Sequence, residues 1–303
     1  MHTIDRSTRR RVFALAAALG AGALIAPSTA LAEAPACPED TLDRVRRTGE
    51  FRLGLRIASP PFGYRNAGGE DVGFATEMGV AIYGAVNTAL GGKVRLGRIP
   101  VTVQTRVPLL LNGTIDIEAG ASVITQARAK VVDTSLPVFL SSPAILVAAS
   151  SSIKSLADLA GKRVGGSEGG VVPEAFRRIN AGKTLSAPIE IVGSPTHSDG
   201  MAALETGSID AYSSVEPVLY GLARKSAKWR VIDLPITTYF QAFLVRPESS
   251  KFKSIVNVTL AQIFASGRWA TLYEKYFGPS SRTPMPMTAQ LRVLERMNAW
   301  PLG

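Results

Sequence analysis

One cysteine in 303 residues rules out an internal disulfide and a cluster of cysteine metal ligands, so Cys37 leaves the fold to be held by packing. Histidine is nearly as scarce. His2 and His197 are the whole supply, too few for a multi-histidine zinc site and thin support for a Ser-His-Asp triad. Beyond residue 32 no stretch reaches the roughly 18 unbroken apolar residues that a membrane span needs. Dense Lys/Arg runs with interleaved aromatics are also missing there, so nucleic acid is not expected as a partner, although the formal net charge is +10.

What is present begins with a leader. Arg9, Arg10 and Arg11 precede the apolar run Val12–Ile25, and Ala30-Leu31-Ala32 is a small-x-small cleavage pattern, so residues 1–32 read as a signal peptide for export to the periplasm. Thr8-Arg9-Arg10-Arg11-Val12-Phe13 also fits a loose twin-arginine pattern, which leaves Sec and Tat export both open. Without the leader's four arginines and one aspartate the charge is +7, a basic surface that favours anionic ligands and membrane faces. The remaining chain, about 270 residues, is longer than one core usually carries, and two lobes are expected.

A repeated phrase supports two lobes. Leu110-x-x-Gly113-x-Ile115-Asp116 is echoed by Leu204-x-x-Gly207-x-Ile209-Asp210: a leucine anchors a helix on a sheet, a glycine takes the left-handed position that stops it, and Ile-Asp opens the next strand. From Phe51 onward short apolar strands alternate with helical stretches, the pattern of βα units on a mostly parallel sheet. Met78, Ile82, Val86 and Leu90 recur at helical spacing until Gly91-Gly92. Leu136–Ala149 is extended enough to cross from one lobe to the other, and Phe240–Val245 offers the return. The expected organisation is lobe 1 over 33–140 and 241–303, lobe 2 over 141–240, and a hinge of two strands. A short helix is expected over 155–161, capped by Ser155 and Asp158.

Five phrases in order carry a family resemblance: Gly49-Glu50-Phe51-Arg52-Leu53-Gly54, Pro60-Pro61-Phe62, Val72-Gly73-Phe74, the run from Ile153 to Val164, and Trp269 to Gly278. The chain resembles the periplasmic solute-binding proteins of polar amino-acid ABC importers, bacterial extracellular solute-binding proteins of family 3. Val103 to Thr114 looks most like the glutamate/aspartate-binding branch. The resemblance implies a type II periplasmic-binding-protein fold: two α/β lobes, each a mostly parallel sheet flanked by helices, closing on a small anionic ligand. It also implies an inner-membrane ABC permease as partner. No cofactor is called for, and a monomer is expected.

Carried over position by position, the branch's three ligand arginines fall on Arg56, Arg106 and Arg128, with Ser59 and Ser122 nearby. Arginine suits the task because its planar fork takes a carboxylate through two parallel hydrogen bonds. At an effective dielectric near 20 and about 4 Å, each pair is worth roughly 4 kcal/mol before desolvation. A micromolar complex needs about 8 kcal/mol net. His197 matches a ligand histidine, expected to add a donor whose charge varies near neutral pH. Gly169-Gly170-Val171 stands at the second lobe's anion loop, offering backbone N–H donors ahead of Pro173.

The departures concern the ligand's amine. The family's ammonium-binding aspartate is replaced by Val215, and Glu216 substitutes only if the loop shifts, since adjacent extended residues point opposite ways. Other polar ligand positions become Val103, Ala121 and Val123. A small acidic solute is therefore expected, either glutamate/aspartate-like or a dicarboxylate. The rival is a periplasmic cyclohexadienyl (prephenate/arogenate) dehydratase-like enzyme on the same fold, which needs a general acid; Glu168, Glu174 and Glu216 are its candidates.

Overall fold

The computed structural model describes residues 39–223 and 226–301. The signal peptide read at 1–32, the twin-arginine pattern and Cys37 lie outside the described residues.

Two sheets organise the chain. The first has the order Arg95–Pro100, Glu50–Leu55, Ile117–Val123, Tyr239–Val245, Asp133–Thr134, with Phe139–Ser141 also paired to Tyr239–Val245. The second runs Glu190–Ser194, Arg163–Ser167, Ala211–Val215, Pro143–Ala148, Trp229–Asp233. The chain leaves the first sheet after Ser141, enters the second at Pro143, and returns between Asp233 and Tyr239. In each sheet three strands are parallel, as the βα alternation predicts, while the strands next to the crossings pair antiparallel. The sheets are thus more mixed than the mostly parallel arrangement expected. A strand that arrives directly from the other sheet has no helical crossover to force it parallel.

The repeated phrase marks equivalent places in the two sheets. Gly113 (φ 75°) and Gly207 (φ 71°) both take the left-handed conformation. Asp116 N–H donates to Arg52 O at 2.8 Å while its carboxylate accepts Arg52 N–H at 2.7 Å. Asp210 does the same with Arg163, at 2.8 Å each way. Each aspartate therefore continues a parallel ladder with its side chain, tying the incoming strand to its parallel neighbour. The environments then diverge: Asp116 is fully buried against Arg44, whereas Asp210 pairs with Arg163 at the surface, 3.0 Å away.

The larger core lies between the first sheet and the helices Phe74–Ala89, Ser250–Ala265 and Arg268–Phe277. Phe62, Phe74, Phe139 and Phe277 form its centre, with ring centroids 4.9–6.2 Å apart in edge-on and stacked pairs. Burying one such ring contributes about 2–3 kcal/mol. The Met78-Ile82-Val86 stripe faces this core, and Gly91 and Gly92 end the helix with φ near +80°. Two smaller clusters cover the faces of the second sheet.

Some elements differ from the sequence reading. The helix expected over 155–161 is one 3₁₀ turn, Ala157–Leu159, because the Asp158 carboxylate takes the N–H groups of Lys154 and Ser155 and the Ser155 hydroxyl. Three helices are not anticipated by the sequence reading: Thr41–Thr48 and Ala289–Asn298, whose apolar stripes hold only Leu42 with Val45 and Leu291 with Leu294 in the core, and Glu216–Ala223, which is apolar almost all round. Among the described residues no helix is long and apolar enough to cross a membrane.

Candidate functional site

The three arginines come from separate segments and line one cavity of about 70 Å³ between the sheets. At about 10–15 Å³ per water, that is room for a few waters or one small solute. Arg56 follows the strand Glu50–Leu55, Arg106 opens the helix Arg106–Leu111, and Arg128 sits in the single turn Gln126–Ala129 capped by Thr125. Ser59, Ser122, Gly170, Val171, His197 and Val215 line the same cavity.

A bulge shapes the arginine side of the cavity. Ser122 faces Ala242 and Glu118 faces Leu244 across the Ile117–Val123 pairing, so four residue steps on one strand match two on the other. Ala121 takes up the slack with φ 50°, a strained value for a residue with a Cβ. A Cβ at Gly120 would overlap the Glu118 carboxylate and the Arg56 side chain, so only glycine lets these two groups share the space.

Each guanidinium is held and keeps donors in reserve. Arg56 Nη2 donates to Ser59 Oγ at 2.7 Å. Arg106 Nη1 donates to Ser122 Oγ at 2.5 Å, and that hydroxyl donates onward to Glu118 Oε2 at 2.7 Å. Arg128 Nη1 and Nη2 donate to the carbonyls of Val123 and Gly169 at 2.7 and 3.0 Å, which bridges the two sheets. A guanidinium has five N–H donors, so these contacts orient the arginines without exhausting them. Arg106 Nε and Glu118 Oε1 are buried without a partner.

The cations are crowded. Burial, then the neighbouring Arg106, lowers Arg56 to about 10 and Arg128 to about 9; burial also lowers Arg106. All three stay protonated at pH 7. The described residue with a carboxylate nearest them is Glu118, whose Oε1 lies 4.0 Å from Arg106 Nη1. Three positive charges against one negative leave the site at about +2.

His197 opens the helix His197–Glu205, started by a reciprocal capping box between Thr196 and Asp199. Its role departs from expectation. Burial, with Arg56 and Arg106 nearby, pushes it down to about 3, so the ring is neutral near pH 7 and does not titrate there. Its Nε2 lies 3.4 Å from Arg56 Nη2, and a guanidinium can only donate, which places the ring proton on Nδ1. Nδ1–H then donates to Tyr212 Oη at 2.9 Å. Tyr212, kept neutral by burial at about 12, shares a 3.1 Å hydrogen bond with Ser167 Oγ. His197 supports Arg56 rather than offering a free donor.

Two further expectations are corrected. The Glu216 carboxylate accepts the backbone N–H of Ser142 at the first crossing and does not line the cavity, so it does not replace a missing amine partner. The Gly170 N–H donates to Ser167 O at 2.9 Å and is already used within its loop. The first-turn N–H groups of Val171 and Val172 in the helix Val171–Ala181 have no intrahelical acceptor, and both residues line the cavity.

Sequence reasoning missed Glu118, Ser167, Tyr212 and Gln241. Glu118 had a signal: a carboxylate in the otherwise apolar strand Ile-Glu-Ala-Gly-Ala-Ser-Val. Gln241 reaches the site through its register opposite Val123 in the first sheet, and Ser167 and Tyr212 through the meeting of the two sheets.

Two α/β sheets joined by two crossings, with a cation-lined cavity between them, define a solute-binding protein of the two-lobe, type II class. The model for bacterial extracellular solute-binding proteins, family 3, matches residues 51–279, and the chain belongs to that family. It is 30% identical to an L-glutamate/L-aspartate-binding protein of Pseudomonas aeruginosa over 256 residues, 82% of this chain and 84% of that protein. It is 28% identical to a glutamate/aspartate import solute-binding protein of Escherichia coli, covering 90% of this chain and 88% of that one. The fold matches a solved cysteine-binding protein of Campylobacter jejuni with a TM-score of 0.73 at 20% identity, over 84% of this chain and 98% of that one. Both curated relatives are named as binding proteins, the second as the solute-binding protein of an import system, and neither is named for a catalysed reaction.

Proposed function

We propose that this chain is the periplasmic component of an ABC importer and captures a small acidic solute, glutamate/aspartate-like or a dicarboxylate, by closure of two lobes. The observation that carries this reading is the convergence of Arg56, Arg106 and Arg128 on one cavity with a local charge near +2. The lobes expected over 33–140 with 241–303 and over 141–240 shift by one or two residues at the crossings, since Ser141, Tyr239 and Phe240 pair within the first sheet, and the two crossings serve as the hinge. The relatives' names support an acidic amino acid as the class of ligand and a place in an import system, for which an ABC permease is the partner we propose. Export by the 1–32 leader and a monomeric state complete the reading.

The dehydratase alternative lacks a positioned acid. Glu168 accepts Gln104 Nε2, Glu174 pairs with Arg177 at 2.9 Å, and Glu216 is held at Ser142. None of the three lines the cavity. A thermal-shift screen of the purified mature protein against amino acids and organic acids tests the proposal. Stabilisation by acidic solutes without turnover of prephenate supports it; stabilisation confined to neutral or basic amino acids contradicts it.

A further inference from the structure

We infer that the cavity selects a short aliphatic dicarboxylate without an amine over the corresponding amino acid. The inference rests on the acidic-solute reading and narrows it.

Charge leads the argument. Three guanidiniums face the cavity, and the nearby carboxylate, Glu118, sits behind Ser122 and Gly120, already accepting the Ser122 hydroxyl. Among the described residues that line the cavity there is no Asp or Glu. A dicarboxylate with no amine brings −2 and neutralises the site. An amino dicarboxylate brings −1, with its ammonium confined alongside three cations.

The acceptors available to that ammonium are few. Ser59 Oγ and Ser122 Oγ already accept from arginines; Ser213 Oγ, whose proton goes to Gly165 O at 2.7 Å, keeps lone pairs but, like the other hydroxyls, offers no negative charge. Gln241 Oε1, buried and unpartnered, is one neutral acceptor. The lining also includes Phe62, Val103, Val171, Val172, Val215 and Val218, alongside the neutral side chains of Ser167, Ser213 and Ser214. An ammonium placed against such a wall loses its hydration without a counter-charge, and the three arginines repel it. Methylene groups placed there lose nothing and gain apolar contact.

Isothermal titration at pH 7 tests this with two matched pairs, succinate against aspartate and glutarate against glutamate, on protein unfolded and refolded to remove any co-purified solute. In the better-binding pair the diacid is expected to bind at least tenfold more tightly. Two variants add a carboxylate to the wall: Val215→Asp, and the near-isosteric Gln241→Glu should the first fail to fold. Each folded variant is expected to shift the ratio at least tenfold toward the amino acid. If an amino acid binds as tightly as its diacid or more so, the inference is overturned while the acidic-solute reading stands. If neither pair binds, the acidic-solute reading fails and takes this inference with it.

Discussion

Arg128 is the arginine whose loss is felt most widely, because it serves both the cavity and the contact between the sheets. Its Nη atoms hold Val123 O and Gly169 O, and its remaining donors belong to the cavity wall. Arg128→Ala should weaken acidic-solute binding by about 3 kcal/mol or more, over a hundredfold in dissociation constant, since one carboxylate is left unpaired in a dry site. An unchanged constant by titration calorimetry removes Arg128 from the site. His197 gives a prediction of the opposite kind. With its proton on Nδ1 and its pKa depressed to about 3, it stays neutral across the range in which the diacid keeps both charges, so affinity should be flat from about pH 6 to 8. A step near pH 6.5 would mean that the imidazole titrates in contact with the ligand.

At the scale of elements, the crossings between sheets hold a titratable latch. Glu216 opens its helix with the carboxylate on Ser142 N–H and its own N–H on Ser142 O at 3.0 Å, while Ser142 Oγ meets Thr238 Oγ1 of the return crossing at 3.3 Å. Burial, against the hydrogen bonds from its own and the Ser142 backbone, raises Glu216 to about 8, and Asp233 adds to the rise. A carboxyl raised on folding from 4.5 to about 8 binds more protons folded than unfolded in that window. Its contribution is therefore complete below pH 4.5 and declines as pH rises toward 8, by an amount on the order of a few kcal/mol. Glu216→Gln should flatten the fall of Tm between pH 5 and 8; an identical slope in both proteins rejects the latch. His197, depressed on folding, acts in the opposite sense below pH 6.5, so the comparison belongs with the difference between the two proteins.

How much was legible in the sequence varies with this scale. The Leu-x-x-Gly-x-Ile-Asp repeat carried the duplicated sheet, since the glycine and the aspartate each perform a local backbone task. The capping box that starts the helix aiming His197 is local, contained in the four residues Thr196 to Asp199. The direction of Glu216 was not legible, because it depends on Ser142, 74 residues away. The bulge at Gly120–Ala121 was hidden too: it exists only in the register with Tyr239–Val245. Ser167, Tyr212 and Gln241 occupy their places for the same long-range reason.

For the whole molecule, polar contacts join the two sheets at the cavity and beside it. Arg128 to Gly169 O, Arg56 to His197, and Gln104 to Glu168 all join groups following strands of different sheets. On the proposed reading, a solute that neutralised the arginines would remove their mutual repulsion and strengthen the arrangement that these contacts hold, and capture would be coupled to closure. That coupling depends on the double negative charge of the guest. The most direct measurement is the affinity of glutarate against its monoamide, which keeps the length and shape and loses one charge. The account predicts that the diacid binds at least thirtyfold more tightly at low salt, about 2 kcal/mol. Equal affinities would contradict it.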